Sequence, residues 1–197
     1  MPVPVSEERF AVVDVETSGL SLRRDHVLQV GVVVVDGSGT VLERWSSLLA
    51  PRRRWLFRVG PTKLHGIHRK DVRRAAPAPE VLTELAQRVR GARFVAHNAA
   101  FDVAFLEKAA RRSGVALPLE QPLCTLRMSR ALDPERQQSH RLADMCARYG
   151  VEHLRPHDAL ADADATAAVL PHLLRAHGVE TADQLPALAS VARPPRA

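Results

Sequence analysis

The chain has 197 residues, 46% hydrophobic and 25% charged, which suits one globular domain that buries its own core and excludes a disordered tail. Its longest apolar stretch, residues 27–35, is broken by Gln29 and Gly31 and falls well short of the roughly 20 residues a membrane span needs, so no membrane partner is expected. Net charge is +6, yet residues 51–74 alone carry nine basic residues against Asp71, which suits a polyanionic partner or, equally, a solvated face in an Arg-rich protein.

The first residues lack the basic-then-apolar order of a secretion signal, and Cys124 and Cys146 offer no disulfide framework, so a cytoplasmic protein with reduced thiols is expected. Residues 10–16, rich in Val, read as a strand closed by a turn at Gly19. Residues 27–35 form a second strand, Asp36-Gly-Ser-Gly39 a hairpin turn, and residues 41–49 a third strand antiparallel to the second. The basic connection holds one or two short helical pieces, and Trp55 and the Arg52 to Arg54 run lie within it. Pro77 and Pro79 then open a helix over 80–90 that Gly91 stops.

A short buried strand, 93–96, leads through His97 and Asn98 into a helix that Gly114 ends. Residues 123–125 are a candidate last strand. Helices follow at 126–132, 139–149 and 158–170, the last ended by Pro171, with a final helix near 180–190 and a frayed tail. A hairpin followed by alternating helices and strands implies an α/β fold with a mixed sheet. The expected organisation is an N-terminal extension over 1–8, one domain over 9–175, and a C-terminal helix and tail over 176–197.

Three clusters carry chemistry. Asp14 and Glu16 are two apart on a Val-rich strand and therefore project from one face. If that strand is buried, unpaired charge there costs several kcal/mol, and a divalent cation would supply the missing counter-charge; an exposed, solvated strand is the alternative. Asn98 can cap the helix that follows it, and Asp102 lies on the same helical face, where it either complements the helix dipole or serves a site. Phe101 and Phe105 share another face, suited to the core or to base stacking. In the third cluster Asp158, Asp162 and Thr166 share a face, whereas Asp164 points elsewhere. Asp158 can be a helix cap, and His157 at the helix entrance can lean over the same site.

Together these segments resemble the DEDDh, or DnaQ-like, 3'-5' exonuclease family, which includes proofreading subunits of bacterial replicative polymerases. The motifs are Val13-Asp-Val-Glu-Thr-Ser-Gly-Leu20, His97-Asn-Ala-Ala-Phe-Asp102, and His157 followed five residues later by Asp162; they span about residues 9 to 172. The resemblance implies an RNase H-like fold with a mixed five-stranded sheet flanked by helices. It implies that Asp14, Glu16, Asp102 and Asp162 bind two divalent metals, Mg or Mn, and that His157 is the general base. An unperturbed imidazole titrates near pH 6.5, which suits proton transfer around neutrality.

The resemblance further implies that Thr17, Gly19 and Leu20 line the terminal nucleotide, with Leu20 as an apolar wedge, and that His65, Asn98 and Phe101 touch the substrate. Where relatives commonly carry Thr after Gly-Ile, this chain has His68, which leaves the helix cap there open. Single-stranded DNA 3' ends are the expected substrate and a DNA polymerase is a further partner of that kind. RNA or short oligoribonucleotides are the alternative substrate, and a binding module with little catalysis is the alternative class. Gln184-Leu-Pro-Ala-Leu188 is better explained as an amphipathic helix than as a sliding-clamp motif.

Overall fold

In the computed structural model, described for residues 2–51 and 57–189, the chain forms a six-stranded mixed sheet with helices on both faces. Trp55 and the Arg52 to Arg54 run lie outside the described residues. The strands are β1 (Arg9–Thr17), β2 (Val27–Asp36), β3 (Val41–Ala50), β4 (Ala76–Pro77), β5 (Arg93–Ala96) and β6 (Leu123–Cys124), in spatial order β4-β3-β2-β1-β5-β6. β1, β2 and β3 form an antiparallel meander; β5 and β6 add to β1 in parallel. The sixth strand is the difference from the sequence expectation. Ala76 and Pro77 pair in parallel with Leu49 and Ala50 at the sheet edge, where a proline without an N–H is tolerated.

The helices are α1 (Thr62–His65), α2 (Arg69–Arg74), α3 (Ala78–Val89), α4 (Ala99–Ser113), α5 (Thr125–Ala131), α6 (Leu142–Tyr149) and α7 (Ala159–Ala176). α3 and α4 pack on one face of the sheet against Val13, Val30 and Val32, while α5, α6 and α7 cover the other against Phe10, Val12 and Val33. β2 is thus buried from both sides, which explains its nearly unbroken run of Val. No helix of the described residues is long and apolar enough to cross a membrane.

Two expectations change, and one open point is answered. Pro171 does not end its helix: α7 continues through it to Ala176. Leu173 and Leu174, beyond the proline, are essentially fully buried, and at roughly 1.5–3 kcal/mol each their burial offsets the ~3 kcal/mol an interior proline costs. The expected C-terminal helix is a short 3-10 turn, Ala182–Leu188, with Pro186 inside it and Leu185 buried. Gln184, exposed, folds back to accept from the backbone N–H groups of Glu180 and Thr181. The cap before α2, left open by His68 in the sequence, is a reciprocal box: the His68 side chain accepts from the Asp71 N–H, and Asp71 accepts from the His68 N–H at 2.9 Å. Residues 3–5 run beside 180–182, with Val5 N–H donating to Glu180 and Ala182 N–H to Val3.

Candidate active site

β1 carries Asp14 and Glu16 on the face that also presents Phe10 and Val12, the side covered by α7. β5 pairs with β1 only as far as Val12. The Val15 N–H beyond that level is taken by Asp102 Oδ1 at 3.2 Å, so α4 delivers its buried carboxylate between the two strand acids. Asn98 stands at the α4 N-cap in left-handed backbone (φ 71°), but its side chain makes no cap bond, contrary to the sequence expectation.

Gln29 and Gly31, which looked like interruptions of an apolar strand, seat the helix that completes the site. Gly31 lies opposite Asp14 in the β1–β2 register, and a Cβ there would stand 2.4 Å from the Ala159 carbonyl, so only glycine lets the start of α7 rest on the strand. Gln29 Oε1 accepts from the Ala159 N–H at 3.4 Å. Asp158 caps α7 by accepting from the Ala161 N–H at 3.0 Å, the role expected of it. Asp164 points away and pairs with Arg44 at 2.7 Å.

In this setting Glu16, His157 and Asp162 each bring a potential ligand atom within 4.8 Å of the other two. Asp162 is held on both oxygens: Oδ1 lies 2.5 Å from His153 Nε2, and Oδ2 accepts from the His157 N–H at 3.1 Å. That second bond fixes His157 in a left-handed conformation (φ 68°), uncommon for a non-glycine residue, with its side chain exposed. His153 escaped the sequence reading, because an isolated histidine four residues before His157 carries no motif.

Asp14 and Asp102 stand outside the tight trio but within its field. Burial, then the carboxylates of Asp102, Asp162, Glu16 and Asp158, push the Asp14 carboxyl well above its ordinary range. Burial, then Asp162 and Asp158, raises Glu16 to about 8. Asp102 is raised mainly by burial, against the pull of its backbone hydrogen bonds. Among the described residues no Lys or Arg forms an ion pair with Asp14, Glu16 or Asp102. A cluster of acids without basic partners, all oxygen donors, fits hard divalent cations.

Around these groups, Leu20 is 84% exposed on the loop after β1, while Thr17 is buried and its hydroxyl donates to the Gly19 carbonyl at 2.7 Å. Phe101 is half-buried against Phe105, with ring centroids 4.8 Å apart. His65 is buried within electrostatic reach of His157, and both its ring nitrogens are engaged, Nδ1 by the Ile67 N–H and Nε2 by the Val59 carbonyl. His97 bonds Thr125, and burial lowers its pKa to about 4. A cleft of about 720 Å³ lined by His26, Phe57, Phe105, Lys108 and Arg112 includes none of the catalytic candidates. Trp45 is structural, lying under the Arg88 guanidinium at 4.5 Å.

The chain is 31% identical over 171 residues to the 3'-5' exonuclease DinG of Bacillus subtilis, and 32% identical over 184 residues to a DNA polymerase III PolC-type of Bacillus cereus. These matches cover 86% and 92% of this chain but only 18% and 12% of the relatives, so the chain spans a small part of either protein. Its fold is similar to that of E. coli Exonuclease I solved with a dT13 oligonucleotide, at a TM-score of 0.75 and 21% identity over 87% of this chain and 42% of that one. It is also similar to Exonuclease X solved with 5' overhanging duplex DNA, at 0.68 and 24% over 92% and 99%. The RNase_T exonuclease family model matches residues 11–170, and the chain belongs to that family.

Proposed function

We propose that the chain is a 3'-5' exonuclease that removes nucleoside 5'-monophosphates from single-stranded DNA ends, using two divalent cations, Mg or Mn. The observation that carries this reading is the convergence of Asp14, Glu16, Asp102 and Asp162, with no Lys or Arg paired to them among the described residues, beside the exposed ring of His157. Those four carboxylates hold the cations, which when bound neutralise the cluster, activate water and stabilise the leaving oxygen.

The remaining roles belong to the chain itself. His157, fixed through its own N–H, takes the proton of the attacking water. The new P–O bond forms as the bond to the 3'-oxygen of the shortened strand breaks, and that oxygen ends protonated. Leu20 offers an apolar wedge against the terminal base, Phe101 a half-buried ring, and Asn98 an exposed amide. Thr17 and Gly19 shape the loop through their mutual hydrogen bond. Residues 9–175 form the catalytic unit, with residues 3–5 of the N-terminal extension running beside 180–182 and Ala189 bridging Leu123 of β6.

A panel of 3'-end-labelled DNA, RNA and dinucleotide substrates with Mg or Mn tests the reading. The expected result is stepwise release of mononucleotides from DNA, abolished by EDTA. Preference for RNA would reassign the substrate, and binding without turnover would overturn the enzymatic reading. The PolC-type relatives support a DNA polymerase as partner, which co-elution with a replicative polymerase checks.

A further inference from the structure

The loop that leads from α6 into α7 contributes a group no motif contains. His153 is almost wholly buried (9% side-chain exposure), and its Nε2 lies 2.5 Å from Asp162 Oδ1. Its other nitrogen, Nδ1, is buried without a hydrogen-bond partner among the described residues. The ring therefore has one polar engagement in the protein, and that engagement is with Asp162. A carboxylate oxygen only accepts, so in this contact Nε2 is the donor.

The two oxygens of Asp162 are thus gripped from the same segment, Oδ1 by the His153 ring and Oδ2 by the His157 N–H. Each oxygen keeps further lone pairs. What the grip removes is rotation of the carboxylate about its own axis, a freedom that a ligand four residues into a helix would otherwise retain. The same grip closes the loop between residues 153 and 157 onto the helix start, which holds the His157 ring within 4.8 Å of Glu16 and Asp162. Buried carboxylates with hydrogen-bonding partners behind them bind metal more tightly than unsupported ones, and removal of such a partner typically costs 10- to 100-fold in affinity.

We propose that His153 is a positioning residue for the metal-holding carboxylate of Asp162, an inference that rests on the cation-binding reading given above. It touches neither substrate nor reacting atoms; it acts through Asp162.

The test is Mn²⁺ binding to the full chain by titration calorimetry, together with the rise in melting temperature on adding Mn²⁺, for wild type, His153→Met and His153→Gln. Methionine fills a similar buried volume with no donor; glutamine restores an N–H donor at similar reach. The expected result is Mn²⁺ affinity 10- to 100-fold weaker in His153→Met, a correspondingly smaller thermal shift, and recovery to within a few-fold of wild type in His153→Gln. Hydrolysis by the Met variant should need more Mn²⁺ to reach half its maximal rate, with most of the rate recovered at saturation.

Wild-type affinity in a folded His153→Met overturns the positioning role while leaving the cation site standing. Equal weakening in both variants also overturns it, since shape rather than the donor would then be what matters. If His153→Met does not fold, the glutamine variant decides alone: wild-type Mn²⁺ affinity supports the donor role, and a tenfold loss overturns it. Absence of Mn²⁺ binding in wild type defeats the cation-site reading itself, and this inference with it.

Discussion

The Val15 N–H donates to Asp102 Oδ1 across 3.2 Å, so the residue between the two strand acids is also the anchor of the third. This backbone-to-side-chain bond ties β1 to the first turn of α4. Asp102→Asn keeps an oxygen to accept that bond and removes only the charge. It is expected to melt no lower than wild type in EDTA, because burial and the neighbouring Glu16 already disfavour the anion there. Turnover should fall by at least about 10²-fold if the charge helps hold a cation; unchanged turnover would remove Asp102 from the site.

The raised carboxyls make metal-free stability pH-dependent in a defined direction. Glu16 has an ordinary value of 4.5 and a folded value of about 8. Between these the folded chain holds a proton that the unfolded chain has released, so stability is fully present below about pH 4.5 and is lost as pH rises through 8. Asp14 and Asp102 shift in the same direction. Melting curves in EDTA from pH 5 to 9 should therefore slope downward, and saturating Mn²⁺ should flatten them. A rising curve in EDTA would contradict the burial of these acids.

Gly31→Ala places a methyl 2.4 Å from the Ala159 carbonyl, a contact with backbone that no side-chain rotation relieves. Overpacking of this kind costs about 1–3 kcal/mol, readable by urea denaturation. Activity should fall further than stability, because the start of α7 carries Asp162 and leads out of His157. Wild-type turnover in this variant would mean that the seating of α7 does not set the site.

His157→Ala removes the exposed ring but leaves the N–H that binds Asp162 Oδ2. The expected loss is about 10²- to 10⁴-fold in rate at saturating Mn²⁺. Single-turnover kinetics with a labelled oligonucleotide measures it, and a loss below threefold would exclude His157 as the base.

Pro171→Ala should raise stability by about 1–3 kcal/mol, since it restores a helical N–H in the middle of α7 without touching Leu173 or Leu174. Urea midpoints decide this one.

Much of the site was legible in the chain itself. Alternation put Asp14 and Glu16 on one face of β1, helical spacing separated Asp162 from Asp164, and Asp158 was recognisable as a cap. What escaped depends on partners distant in sequence. Gln29 and Gly31 have meaning only against Ala159, some 130 residues later, so locally they weaken a strand. Pro171 reads as a stop until the burial of Leu173 and Leu174 is known. β4 exists only because the β3 edge offers it a partner, which no propensity of Ala76 or Pro77 announces. Asn98 was assigned a cap bond on residue type alone, whereas its left-handed backbone turns the side chain from that task.

The adjacency of residues 3–5 and 180–182 also decides where the unit can begin to fray. β1 begins there and reaches its acids only at its far end, while α7 begins at the acids and ends near the same seam. The segment entering β1 and the segment leaving α7 are thus clipped to one another away from the acids, so that loosening one end first frees the other rather than the site.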